Sequence, residues 1–89
     1  MAKHNRNIEG YAGSLEDLAK AVGNMTYDQT ALFVEKLADD IKRQANADLG
    51  RGKIKLFTQL NYASRELYEA RARIAEAWKI CKPYMKDQE

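Results

Sequence analysis

Residues 60–81, LNYASRELYEARARIAEAWKIC, decide the fold of this 89-residue chain. Large and small apolar residues alternate along this stretch at spacings of three and four. They are Leu60, Ala63, Leu67, Ala70, Ile74, Ala77 and Cys81. This spacing puts all of them on one face of a helix, and the small members allow a second helix to approach closely. The stretch therefore predicts a long helix that packs lengthwise against another helix.

A second alanine repeat of the same period precedes this stretch. Its members are Ala31, Ala38 and Ala45. The Gly-Arg-Gly connector at 50–52 separates the two repeats, and a connector this short makes neighbouring helices antiparallel. Folding the chain about this turn brings Ala38 near Ala63 and Ala31 near Ala70. The sequence thus predicts an antiparallel hairpin with an alanine-rich, coiled-coil-like seam.

By the same register, one end of the hairpin lacks a partner. Ala77, Trp78 and Cys81 lie beyond the start of the second helix. Either the first helix or another subunit must complete the packing at that end. Because exposed apolar surface on so small a domain is typical of an interface, the sequence favours self-association, most simply as a twofold homodimer.

The fold class predicted is all-α, a three-helix domain whose short first helix packs on the long hairpin. The domain is expected over 14–83, with helices at about 14–23, 26–49 and 53–82. Ser14 and Asp17 suit a capping box at the first helix start, and Pro83 stops the third helix. The polar ends, 1–13 and 84–89, are expected to be flexible tails.

Composition is typical of a folded, helix-rich protein from a reducing compartment. Charged residues make up 31% of the chain, and the net charge is +2. The single cysteine permits no internal disulfide, which favours a cytoplasmic location. No stretch approaches the roughly 20 apolar residues that span a bilayer, and residues 1–9 lack the apolar core of a secretory signal. We therefore expect no membrane association.

Off-stripe apolar residues on the third helix are candidate interface contacts. They are Phe57, Tyr62, Tyr68, Trp78 and Ile80. One short first helix cannot cover all of them, so we expect a protein partner or a second copy of the chain to do so.

Basic residues are concentrated in the second half of the chain. Residues 1–49 carry six Lys and Arg against eight Asp and Glu, whereas residues 50–89 carry nine against five. The densest basic group, Arg51, Lys53 and Lys55 at the hairpin turn, is the candidate anion contact. Glutamates lie among the other basic residues at ion-pair spacings, which is typical of a solvated helix surface. Nucleic acid is therefore an alternative partner and not the favoured one.

One segment resembles the first helix and turn of helix-turn-helix DNA-binding proteins. The matching residues are Leu15, Leu18, Ala19, Val22 and Gly23, with Leu32 further on. In that family a small residue and a later glycine permit close crossing of two helices, and Ala19 and Gly23 fall at those positions. The resemblance implies a nucleic-acid-binding regulator, which is the alternative function. Gln29 departs from the pattern, which has a buried aliphatic residue there, and the acidic second helix would repel phosphate.

The sequence contains no recognisable catalytic, cofactor-binding or metal-ligating set. The only histidine, His4, lies in the N-terminal tail, and Cys81 lies on the apolar stripe. The carboxylates Glu35, Asp39 and Asp40 lack the histidine partners of helical di-iron sites. There is also no glycine-rich phosphate loop. The sequence therefore predicts a helical interaction or accessory protein that is no enzyme, binds no cofactor or metal, and self-associates.

Overall fold

The computed structural model describes residues 4–87 and places three helices there. They are α1 (Leu15–Gly23), α2 (Tyr27–Gly50) and α3 (Ile54–Cys81), and a short 3₁₀ helix, Lys82–Asp87, follows. The predicted all-α class is confirmed, and each observed helix starts and ends within one residue of its predicted bounds. Residues 1–3 and 88–89 of the two predicted tails lie outside the described residues.

Local hydrogen bonds explain where the elements begin and turn. Ser14 Oγ accepts from the Asp17 N–H at 3.0 Å, and the Asp17 carboxylate accepts from the Ser14 N–H at 3.4 Å. This is the predicted capping box, which satisfies amide groups left free at the start of α1. Between α2 and α3 the turn is tight because Gly52 adopts a φ of +78°, a left-handed conformation that glycine tolerates best.

The hairpin core is made of small side chains. Ala31, Ala38 and Ala45 of α2 are buried, and so is Ser64 of α3. The Ser64 hydroxyl donates to the Ala38 carbonyl oxygen at 3.2 Å. A side chain as short as serine can reach the neighbouring backbone only where two helices lie close together. The α2 repeat thus forms its half of the seam as predicted.

The α3 half of the seam differs from the prediction by one residue. Ser64, and not Ala63, lies opposite Ala38. Ala70, which was expected opposite Ala31, is exposed. The α3 alanines therefore lie beside the contact with α2 instead of in it. Both 63 and 64 carry small residues, so spacing alone favoured the wrong one of two adjacent heptad registers.

The first helix packs against α2 and not against α3. Its packing partner is α2, and the Thr30 hydroxyl donates to the Val22 carbonyl at 2.7 Å to hold the two together. No residue of α1 is buried, and α1 does not pack against α3. Within residues 4–87, the end of α3 near Trp78 is thus left without the first helix as a cover.

The resulting shape is elongated and thin. The principal extents of the α-carbons are 52 × 30 × 14 Å, and the radius of gyration is 15.9 Å. A compact domain of this length has a radius of gyration of about 12 Å. Among the described helices, none is long and apolar enough to cross a membrane.

Candidate protein interaction surface

The hairpin has two faces of different chemistry, and the first is polar. Three side-chain links join α2 to α3 on it. Arg71 forms an ion pair with Glu35 at 2.8 Å, the Tyr68 hydroxyl donates to the Asp39 carboxylate, and Lys42 donates to the Asn61 amide oxygen. At about 100° per residue, five of these six side chains project to the same side of the line between Ala38 and Ser64. Arg71, one heptad after Ser64, lies close to the line itself, and its long side chain reaches Glu35 on that side. We call this side the polar face.

The electrostatics of the polar face fit a surface exposed to water. The hydrogen bond to Asp39 raises the pKa of Tyr68, and partial burial of the phenol raises it further. On the outer side of α2, hydrogen bonds from Gln44 and Arg43 lower the pKa of Asp40. The charged groups here are partnered and accessible, so this face needs no cover.

The opposite side of the hairpin is apolar, and we call it the open face. From α2 it receives Val34, Leu37 and Ile41. From α3 it receives the larger residues Leu60, Leu67 and Ile74 and the small residues Ala63, Ala70 and Ala77. The seven-residue alanine repeat of α3 therefore runs along the open face, next to a row of larger aliphatic residues.

The open face is uncovered over much of its length. Leu37 is 42% exposed and Ala70 is exposed, while the larger α3 residues are only half-buried. The accessible surface of the chain is 7293 Å². A compact monomer of this mass exposes about 5,300 Å². The single layer of helices contributes to the excess of about 2,000 Å², because most domains bury such a face against a second layer. The largely exposed segment at residues 4–14 contributes as well.

The five predicted interface residues do not share one surface. Phe57 lies one heptad before Ser64, in the contact with α2 opposite Ala45, and is half-buried. Tyr68 belongs to the polar face. Tyr62 and Ile80, which are 54% and 74% exposed, project away from α2 on the outer side of α3. Trp78 alone borders the open face.

The sequence contains a partial signal for the open face. Its aliphatic residues lie to one side of each alanine repeat, whereas charged and amide side chains lie to the other. That signal becomes interpretable only when the facing residues of the hairpin are known, and the one-residue difference at Ser64 concealed it.

The candidate anion contact lies at the turn. Arg51 caps the end of α2 and forms an ion pair with Asp48 at 3.4 Å. Lys53 is the N-cap residue of α3, and Lys55 follows in its exposed first turn. The three are thus brought to one end of the hairpin, and Arg51 is already paired with a carboxylate.

Two further basic residues of α3 are also paired. Arg71 contacts Glu35 across the hairpin, and Lys79 contacts Glu76 at 3.0 Å on its own helix. Because these cations are already paired with carboxylates, their attraction for phosphate is reduced. The segment that resembles a helix-turn-helix forms α1 and the start of α2, and Gln29 there is exposed.

Groups capable of catalysis or metal binding are scattered. Within residues 4–87, no three His, Cys, Asp or Glu side chains are grouped so that they could hold a metal ion. His4 is exposed in the N-terminal segment. Cys81 is half-buried near the end of α3, and its thiol donates to the Trp78 carbonyl at 3.7 Å. A shallow cavity of about 300 Å³ lies among residues 6–15, formed by that segment alone.

Comparison with known proteins adds no functional assignment. No protein-family model matches this chain, and no curated protein or solved structure matches it either.

Proposed function

We propose that this protein is a non-catalytic helical interaction protein that self-associates through the open face of its hairpin. The observation that carries the proposal is the uncovered row of aliphatic residues flanked by the Ala63, Ala70 and Ala77 repeat. Large contiguous apolar surface on a small domain marks a site of protein contact. The proposed role is structural, the presentation of a helical surface to a protein partner.

The energetics of the single chain support an associating protein. The buried apolar residues among those described are all alanines, Ala31, Ala38 and Ala45. Each contributes one methyl group, and burial of such a group is worth about 0.8 kcal/mol. Covering the half-buried leucines and isoleucines of the open face would supply the hydrophobic stabilisation that the alanine core lacks.

Two exposed alanines provide a matched test of this proposal. Ala70 lies on the open face, and Ala72 lies on the polar side of the same helix. Each has a glutamate within one turn, so a lysine at either position has a similar effect on helix stability. We expect Ala70→Lys to weaken association at least about tenfold, because it buries a charge in the interface, and Ala72→Lys to leave it unchanged.

Light scattering after size exclusion, with circular dichroism at 222 nm, measures both association and helix content. If the single chain is unstable alone, Ala70→Lys will lose helix content together with association, which still supports the proposal provided that Ala72→Lys retains both. A parent protein that is monomeric and fully helical at tens of micromolar contradicts it.

The alternative function, a nucleic-acid-binding regulator, has less support. Arg51, Arg71 and Lys79 are each paired with a carboxylate, which reduces their attraction for phosphate. It predicts salt-sensitive retention on a nucleic-acid column that Arg51→Ala with Lys53→Ala weakens. Absence of retention at low salt would eliminate it.

A further inference from the structure

The open face has the chemistry of a surface that fits itself. We propose that its occupant is a second copy of this chain, related by a twofold axis beside Ala70, so that α3 packs antiparallel on α3 of the partner. This inference rests on the proposed function and specifies its partner and geometry.

The available area suits a second copy. A standard protein interface buries about 800 Å² on each partner, and obligate homodimers bury more. The chain exposes 7293 Å², which is about 2,000 Å² more than a compact monomer of its mass, and the open face accounts for part of this excess. Stacking two open faces would convert two thin hairpins into a four-helix, two-layer bundle, an architecture that buries its aliphatic residues between the layers.

Side-chain size favours a pairing centred on Ala70. Around a twofold axis at that residue, Ala70 meets its own copy, and Ala63 meets Ala77 of the partner subunit. Small residues then face small residues along the whole contact, which permits close approach of the two α3 helices. Leu67 and Ile74 lie on the aliphatic side of this row of alanines. Across the twofold axis, Leu67 would face the partner's Ile74.

Charge favours the same centre and an antiparallel direction. At about 100° per residue, Glu66 and Arg73 both lie on the side of Ala70 away from the aliphatic row, about 40° and 60° from it. Both are exposed, and neither forms an ion pair with another described residue. In the antiparallel pair, the twofold axis places Glu66 and Arg73 of both subunits on the same side of the α3–α3 contact.

The positions of Glu66 and Arg73 along the α3 axis also suit pairing between the two subunits. At a rise of about 1.5 Å per residue, Glu66 lies about 6 Å before Ala70 and Arg73 about 4.5 Å after it. The axis therefore brings Glu66 level with the partner's Arg73 to within about 1.5 Å. Each dimer gains two symmetric ion pairs. In a parallel arrangement these groups would lie on opposite sides of the contact and could not pair.

Cysteine cross-linking tests the position of the axis. The experiment uses Ala70→Cys and, as the matched control, Ala72→Cys, each with Cys81→Ser to remove the native thiol. Residues beside a twofold axis can meet the Cα separation of about 4.4–6.8 Å that a disulfide needs. We expect mild oxidation to convert the Ala70→Cys protein to a covalent dimer that dithiothreitol reverses, and the Ala72→Cys protein to remain uncross-linked.

Charge reversal gives an independent readout. We expect Glu66→Arg to weaken the dimer about tenfold, since two ion pairs become two repulsions, and the double variant Glu66→Arg, Arg73→Glu to restore it. Glu69→Arg, on the outer side of α3, should leave the dissociation constant unchanged. Sedimentation equilibrium measures all three proteins against the parent.

The outcomes separate this inference from the proposed function. A parent dimer in which Ala70→Cys fails to cross-link, or cross-links no better than Ala72→Cys, overturns the antiparallel geometry and leaves self-association standing. Failure of the double charge reversal to restore the dimer also overturns it. A monomeric parent protein overturns both.

Discussion

Replacement of Ala38 by leucine tests the close approach of α2 and α3 directly. Ala38 is fully buried, and the Ser64 hydroxyl bonds to its carbonyl oxygen at 3.2 Å. Leucine adds an isopropyl group where the two helices leave no space, so they must separate or the side chain must adopt a strained rotamer. Overpacking of this kind costs about 1–3 kcal/mol. Loss of the Ser64 hydrogen bond adds about 1 kcal/mol, for a total of about 2–4 kcal/mol.

Urea denaturation followed at 222 nm measures this loss of stability. With an m-value of about 2 kcal/mol/M, the midpoint should fall by about 1–2 M. The control is Ala72→Leu, whose residue is exposed on the polar side of α3 and should change stability by no more than about 0.5 kcal/mol. Protein concentration is held constant, because association also contributes to the midpoint. If Ala38→Leu unfolds no earlier than Ala72→Leu, the helices do not approach closely at Ala38, and the assigned seam is wrong.

Three further predictions concern the polar face and the start of α1. Ser14→Ala removes the α1 cap and should cost about 0.5–2 kcal/mol of local helix stability, seen as faster amide exchange in α1 with α2 unchanged. The hydrogen bond to Asp39 raises the pKa of Tyr68 above its usual 10.0, so its stabilisation is complete below pH 10 and is lost as the pH rises through the raised pKa. Tyr68→Phe should therefore reduce the loss of stability above pH 10, and an unchanged alkaline unfolding curve would contradict this. The Glu35–Arg71 pair is partly exposed, so Glu35→Gln should cost only about 0.2–1 kcal/mol, with the difference from the parent disappearing in 1 M salt.

Much of the fold followed from local patterns. The Ser14 capping box, the glycine turn at 50–52 and Pro83 each act through backbone chemistry within a few residues, so the bounds of all three helices were predictable. The antiparallel hairpin followed from the short turn and the period of the Ala31 repeat. These features depend on neighbours in the chain, and the sequence contains them in full.

The candidate surface was only partly predictable. The expected contacts are apolar residues away from the alanine stripe, and in the structure they fall on different sides of α3. Phe57 and Tyr68 lie on the side towards α2, whereas Tyr62 lies on the outer side. Trp78 is half-buried and borders the open face, and its contact with a partner stays a prediction. Whether α1 would cover the end of α3 near Trp78 could not be decided locally, since it depends on the direction in which α1 leaves α2.

By itself, the sequence determined three helices, their bounds and an antiparallel hairpin with alanines in its seam. Only the tertiary structure decided that Ser64 takes the place opposite Ala38 and that Ala70 lies outside the seam. The physical reason is that a heptad repeat defines a helix face about 100° wide, which is also the angle between consecutive residues. Ala63 and Ser64 are consecutive and both small, so either one fits the contact with Ala38. Rotating α3 by one residue, about 100°, is what turns its alanine repeat from an internal seam into the open face.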